Sequence, residues 1–147
     1  MAKTTNGKTL KELKVNDEFF IDGKAFYCKT NKPNTKGRYP SNCYEAGVFN
    51  PSSEYDISQF VKDAVYTDKE GNETQGEQVS IKNSKYPIPI FDMNNERYQD
   101  NISIPNGTDI TMFCKVCYSE GFNTEYLVVR AIKINEELKE FNPFANR

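Results

Sequence analysis

The dyad CKVC, Cys114 to Cys117, is the spacing in this 147-residue chain that comes nearest to coordination chemistry. Two cysteines three positions apart can supply half of a tetrahedral zinc site or a redox-active dithiol. Here the pair sits inside MFCKVCY, a run of strand-forming residues. Side chains along a strand alternate in direction, so positions three apart face opposite sides and cannot converge on one ion. Cys28 and Cys43 are the thiols left to complete a four-cysteine site, and that site would tie them to the CKVC strand. The expectation is four free thiols in a reducing compartment, with packing roles, no metal and no cofactor.

Catalytic chemistry has little to draw on. The chain contains no histidine, which removes the imidazole base and the triads built on it. Its carboxylates are spread through polar runs such as DKEGNETQGE, without the paired spacing that would mark a metal-dependent nuclease. Neither GxxxxGK[ST] nor GxGxxG occurs, so no phosphate-cradling loop is expected. The chain reads as a protein that is not an enzyme.

Binding chemistry is better represented. Lys24, Lys29, Lys32, Lys36 and Arg38 fall between Lys24 and Tyr44 with no acidic residue among them, in a chain of net charge −2. The remainder of the chain therefore carries −7, and a local positive field of this kind attracts phosphate even on an anionic protein. Tyr39 and Tyr44 lie inside the basic stretch, and Lys85 stands directly before Tyr86. Cations along a backbone and rings on which bases stack are the two parts that sequence-tolerant single-strand binding needs. Lys115, Tyr118, Tyr126 and Arg130 place the same residue types on two strands near the C-terminus, where they would line an outer sheet face. The plainer alternative is that the tyrosines pack over the ends of the fold and the cations serve solubility.

These residues must be positioned by an all-β domain. DITMFCKVCY and TEYLVVRAIKI read as an antiparallel pair turning at SEGFN. Strict alternation puts Ile110, Met112, Cys114, Val116 and Tyr118 on one face of the first. It sets Tyr126, Val128, Arg130, Ile132 and Ile134 against Leu127, Val129, Ala131 and Lys133 in the second. Asp22-Gly23 is expected to turn a hairpin between Phe20-Ile21 and the run Ala25 to Cys28. Residues 29–55, rich in Pro, Gly and Asn, are expected to be mostly loop. Ile57, Phe60, Val61, Ala64 and Val65 recur at helical spacing and predict a short helix, with a strand through Ala64 to Thr67 competing. YPIPIFDM is expected to be a loop or edge strand, because proline cannot donate to a ladder. The sum is one domain over 1–147, a five- or six-stranded barrel with long loops and at most one short helix. Residues 136–147 would be a short extension, and a sandwich is the alternative architecture.

The stretch from Ile102 to Phe144 resembles the last part of the small single-stranded-DNA-binding proteins of bacteriophages. The resemblance rests on Ile104-Pro105-Asn106-Gly107-Thr108 leading into a strand from Ile110 to Tyr118. A final strand from Tyr126 to Ile134 and the segment Glu136 to Phe141 complete it. It implies an oligonucleotide-binding barrel that binds and protects single-stranded DNA in replication or recombination, without sequence preference. RNA fits the same features, as do homo-oligomers and replication or host proteins as partners. EELKEFNPFANR departs from the strongly acidic tail of that group, so recruitment through the tail is not expected. The alternative function is a phage-type interaction or inhibitor module that binds a host enzyme, with the acidic run from Asp68 to Glu77 filling a basic cleft. No segment approaches the ~18 apolar residues that cross a membrane, and no secretory leader is legible. The expected location is the cytoplasm, that of the host if the protein is viral.

Overall fold

Alternation of apolar and polar residues is carried furthest by two eleven-residue runs, which pair antiparallel from Ile110↔Ile134 to Ser119↔Thr124. In the computed structural model, which describes residues 10–30, 42–68, 70–82, 88–97 and 104–136, they are the last of eight strands. The strands are β1 (Glu18–Ala25), β2 (Lys29–Thr30), β3 (Asn42–Ser52), β4 (Lys62–Thr67), β5 (Glu73–Lys82), β6 (Ile88–Phe91), β7 (Asp109–Ser119) and β8 (Thr124–Ile134). All belong to one sheet, ordered β1-β7-β8-β6-β3-β5-β4, with β2 alongside β3 and a further pairing of β1 with β3. Every ladder is antiparallel except β6–β8. The described residues are thus all-β as expected, with eight strands rather than five or six, in a sheet that is not closed into a barrel.

One face of this sheet is the core. Ile21, Val48, Ile88, Ile90, Ile110, Met112, Ile132 and Ile134 are fully buried there, together with Val79, Val116 and Val129. Truncating one such side chain to alanine costs ~2–5 kcal/mol, because the cavity it leaves collapses only partly. On β7 the buried set is Ile110, Met112, Cys114 and Val116, which matches strict alternation.

On β8 the alternation breaks. Leu127 and Val129 face the core, and so do Ile132 and Ile134, which is a change of phase. The register explains it: Cys114 pairs with Val129 and Phe113 with Ala131, so Arg130 is the extra residue of a β-bulge. The face predicted to unite Arg130 with Ile132 and Ile134 does not exist, because the bulge re-aims it.

Three further expectations give way to tertiary packing. Asp22-Gly23 is no turn: β1 runs straight through it. A Cβ on Gly23 would stand 2.1 Å from Val48 Cγ1 and 2.9 Å from the Phe49 carbonyl, so the glycine admits β3. The β1–β3 register slips at that point, between Asp22 and Lys24. The stretch 42–52, expected to be irregular, is β3, which bonds to β1, β2, β5 and β6. The expected helix shrinks to a 3-10 turn at Ser58–Phe60, and the competing strand is realised as β4. Ile57 alone of the helical set is fully inside, with Phe60 and Val61 packed against the core edge. The following acidic run makes the β4–β5 hairpin, where Asp68 Oδ1 accepts the Glu70 and Asn72 N–H groups at 2.9 Å each. Those bonds hold the Asp68 carboxyl below its ordinary pKa.

β6 is interior rather than an edge. It pairs with β3 through Ile88 and Pro89, and with β8 through Ile90 and Phe91. So short a strand needs few donors, and its β8 ladder lies beyond Pro89. Among the described residues no helix is long and apolar enough to cross a membrane.

Candidate functional site

Lys29, the first of the predicted binding residues, opens β2. Its Nζ lies 3.4 Å from Glu45 Oε2 on the neighbouring strand. Lys24 is likewise paired, with Asp109 of β7, and that hydrogen bond raises its pKa above the ordinary lysine value. Two of the five cations in the basic stretch are therefore met by acids from elsewhere in the chain. Lys32, Lys36, Arg38, Tyr39, Lys85 and Tyr86 lie outside the described residues, and of Tyr44 only the backbone, in β3, is described.

The C-terminal set is divided by the sheet. Lys115 and Tyr126 share the outer face, opposite Val128 and Cys117 respectively. Arg130 reaches that side through the bulge and is exposed. Tyr118 continues the core-facing alternation past the end of the core, and its hydroxyl donates to Asn123 Oδ1 at the hairpin tip. Tyr118 therefore stands apart from the other three. Beside them on β1, Phe20 is 59% exposed and its ring lies 5.1 Å from that of Phe113 on β7.

A second cluster of rings lies away from the core, where β1 ends. Phe26 and Phe49 are buried against each other at 5.3 Å between centroids, and Tyr66 of β4 packs on both, at 6.2 Å and 5.8 Å. Gly76 makes room for this, since a Cβ there would lie 2.6 Å from Phe49 Cζ. The turn from Pro105 to Thr108 closes over the cluster. Ala25 N donates to Thr108 O at 2.7 Å and Gly107 N to Ala25 O at 2.8 Å, which fastens the turn to the end of β1. Tyr66 donates to the Asn106 carbonyl at 3.4 Å.

Tyr27 is the exposed member. Its ring meets Phe26 edge-on at 4.6 Å while remaining 59% exposed. Its backbone has φ +53°, and among the described residues every other non-glycine with positive φ is an asparagine. A bulky side chain in that region is strained by ~1–3 kcal/mol. The Asn106 side chain holds the conformation by accepting the Tyr27 N–H at 2.7 Å. In the sequence Tyr27 reads as an ordinary strand residue, and nothing there singles out Tyr66 or Asn106 for a site. The one legible signal is that Tyr27 lies inside the basic stretch, between Lys24 and Lys29.

The four cysteines divide as strand geometry requires: Cys114 is buried in the core and Cys117 lies half-buried on the outer face. Burial pushes the Cys114 thiol up to about 12. Among the described residues no group of three or more His, Cys, Asp or Glu side chains could hold a metal ion. Comparison with protein-family models, curated proteins and solved structures found no match, so the reading of this site rests on its own residues.

Proposed function

We propose that the protein binds single-stranded nucleic acid, DNA foremost, without sequence preference, on an oligonucleotide-binding-type barrel enlarged by the β4–β5 hairpin. The architecture is supported by the order of pairings. β1 meets β3, β3 meets β6, β6 lies parallel to β8, β8 meets β7, and β7 meets β1. A partly open Greek-key barrel of five strands would use that order of neighbours, and its weakest seam would be the short β6 ladders. In such barrels the loops after the first and the fourth strand flank the binding face.

The observation that carries the reading is the place of the basic stretch. It joins the first two strands of that circuit, and Tyr27 stands strained and exposed at its root. Cations then follow the phosphate backbone, and the ring offers a stacking surface to any base. Replication or recombination, implied by the resemblance, belongs to the same proposal. The test is fluorescence anisotropy with a labelled oligothymidylate at low salt. No binding at low micromolar protein retires the reading in favour of a protein partner, for which the exposed Phe20 on Phe113 is the supporting observation.

A further inference from the structure

We propose that Cys28 and Cys43 form an oxidisable dithiol, with Cys28 as nucleophile and Cys43 as resolving thiol, open to peroxides and small disulfides. This inference does not rest on the nucleic-acid reading. The pair brackets residues 29–42, which carry four of the five cations of the basic stretch, one thiol directly before β2 and the other at the start of β3. β2 and β3 are paired through Lys29↔Glu45 and Thr30↔Cys43, which sets Cys28 and Cys43 close together at the start of adjoining strands. Cys28 Sγ also lies 3.5 Å from the Gly47 N–H, which it accepts, and 3.4 Å from the Gly47 carbonyl. Cys43 Sγ lies 3.0 Å from the Glu45 carbonyl.

The two thiols are unlike in the way a nucleophile and its resolving partner must be. Cys28 is partly exposed, whereas Cys43 is wholly buried, so a reagent from solvent meets Cys28 first. The Cys43 thiol, followed by the Gly47 and Phe26 backbone, lowers the Cys28 pKa to about 7 against burial and the Glu45 carboxylate. Lys29 sits on that carboxylate and offsets its charge. Cys43 moves the other way, raised by its bond to Cys28 and by burial, and so keeps its proton. The thiolate is the reactive form, so near neutral pH a substantial fraction of Cys28 is ready to attack.

With hydrogen peroxide the Cys28 thiolate takes one oxygen and becomes a sulfenic acid, and the hydroxide released is protonated to water. The Cys43 sulfur then attacks the Cys28 sulfur, and its proton leaves with the departing hydroxyl as a second water. Two thiols are oxidised to one disulfide while one peroxide is reduced to two waters. With a small disulfide the same two attacks each expel one small thiolate, through a mixed disulfide on Cys28. The product links both ends of the segment that carries Lys32, Lys36 and Arg38.

The reduced full-length chain is treated with stoichiometric hydrogen peroxide near neutral pH, alkylated and mapped by peptide mass spectrometry. Two of the four thiols should disappear into a Cys28–Cys43 link within one chain, leaving Cys114 and Cys117 free. Alkylation of reduced Cys28 should rise with pH through a midpoint of about 7. In Cys43→Ser a small disulfide should leave a stable mixed disulfide on Cys28, and in Cys28→Ser Cys43 should not react. Because a substitution at buried Cys43 can cost the fold, the wild-type map and pH profile decide alone. Cys117 reacting first, absence of the link, or a Cys28 midpoint at the ordinary thiol value of ~8.5 overturns the proposal.

Discussion

Strain at Tyr27 is a property of one residue, and it separates stability from binding. Glycine adopts φ near +53° without penalty, so Tyr27→Gly relieves the backbone while removing the edge contact with Phe26. Relief of ~1–3 kcal/mol and loss of ~0.5–1.5 kcal/mol nearly cancel. Tyr27→Gly should therefore melt close to the wild type yet bind oligothymidylate ~1–3 kcal/mol more weakly, with its salt dependence unchanged. A large fall in melting temperature with binding intact would make Tyr27 a packing residue only. Gly23 is the opposite case. A Cβ there meets Val48 and the β3 backbone, which cannot retreat without opening the β1–β3 ladder. Gly23→Ala should cost ~1–3 kcal/mol in denaturant unfolding, the usual penalty of overpacking.

At the scale of elements, β8 reconciles two facing patterns by carrying one residue too many. Deleting Arg130 leaves Val129 inward, Ala131 outward and Ile132 inward, an unbroken alternation that keeps every buried side chain in place. Deleting Lys115 from β7 instead turns either Val116 or the set Ile110, Met112 and Cys114 toward solvent. Circular dichroism should show a cooperative β-rich melt for the Arg130 deletion and none for the Lys115 deletion. Equal loss in both would mean that the bend made by the bulge, rather than the count of residues, is what the sheet needs.

For the whole molecule the question is where charge acts. With Lys24 on Asp109 and Lys29 on Glu45, the proposal assigns the phosphate contacts to Lys32, Lys36 and Arg38, which lie outside the described residues. Each phosphate neutralised on a single strand should add ~0.7 to the slope of log affinity against log salt, so three contacts give roughly 2. Replacing those three residues with alanine should flatten the slope and weaken all oligonucleotides alike. A slope that survives the triple replacement would move the backbone contacts to Lys115 and Arg130 on the outer face.

What the sequence determined by itself is the all-β class, the β7–β8 pair and the separation of Cys114 from Cys117. Each follows from an alternation that local chain geometry imposes over adjacent residues. Only the tertiary structure decided the rest. Gly23 reads locally as a turn, but the chain stays extended because Gly23 pairs with Ile110 of β7 and its neighbours Asp22 and Lys24 pair with β3. Residues 42–52 read as loop from their glycine, proline and asparagine, yet ladders on both edges outweigh weak strand propensity. The bulge at Arg130 arises from fitting one strand to another, and nothing within β8 alone announces it. The same holds for the candidate site. Tyr27, Tyr66 and Asn106 lie far apart along the chain and meet only when the Pro105–Thr108 turn is fastened to the end of β1. Contacts that the fold creates leave no spacing in a sequence.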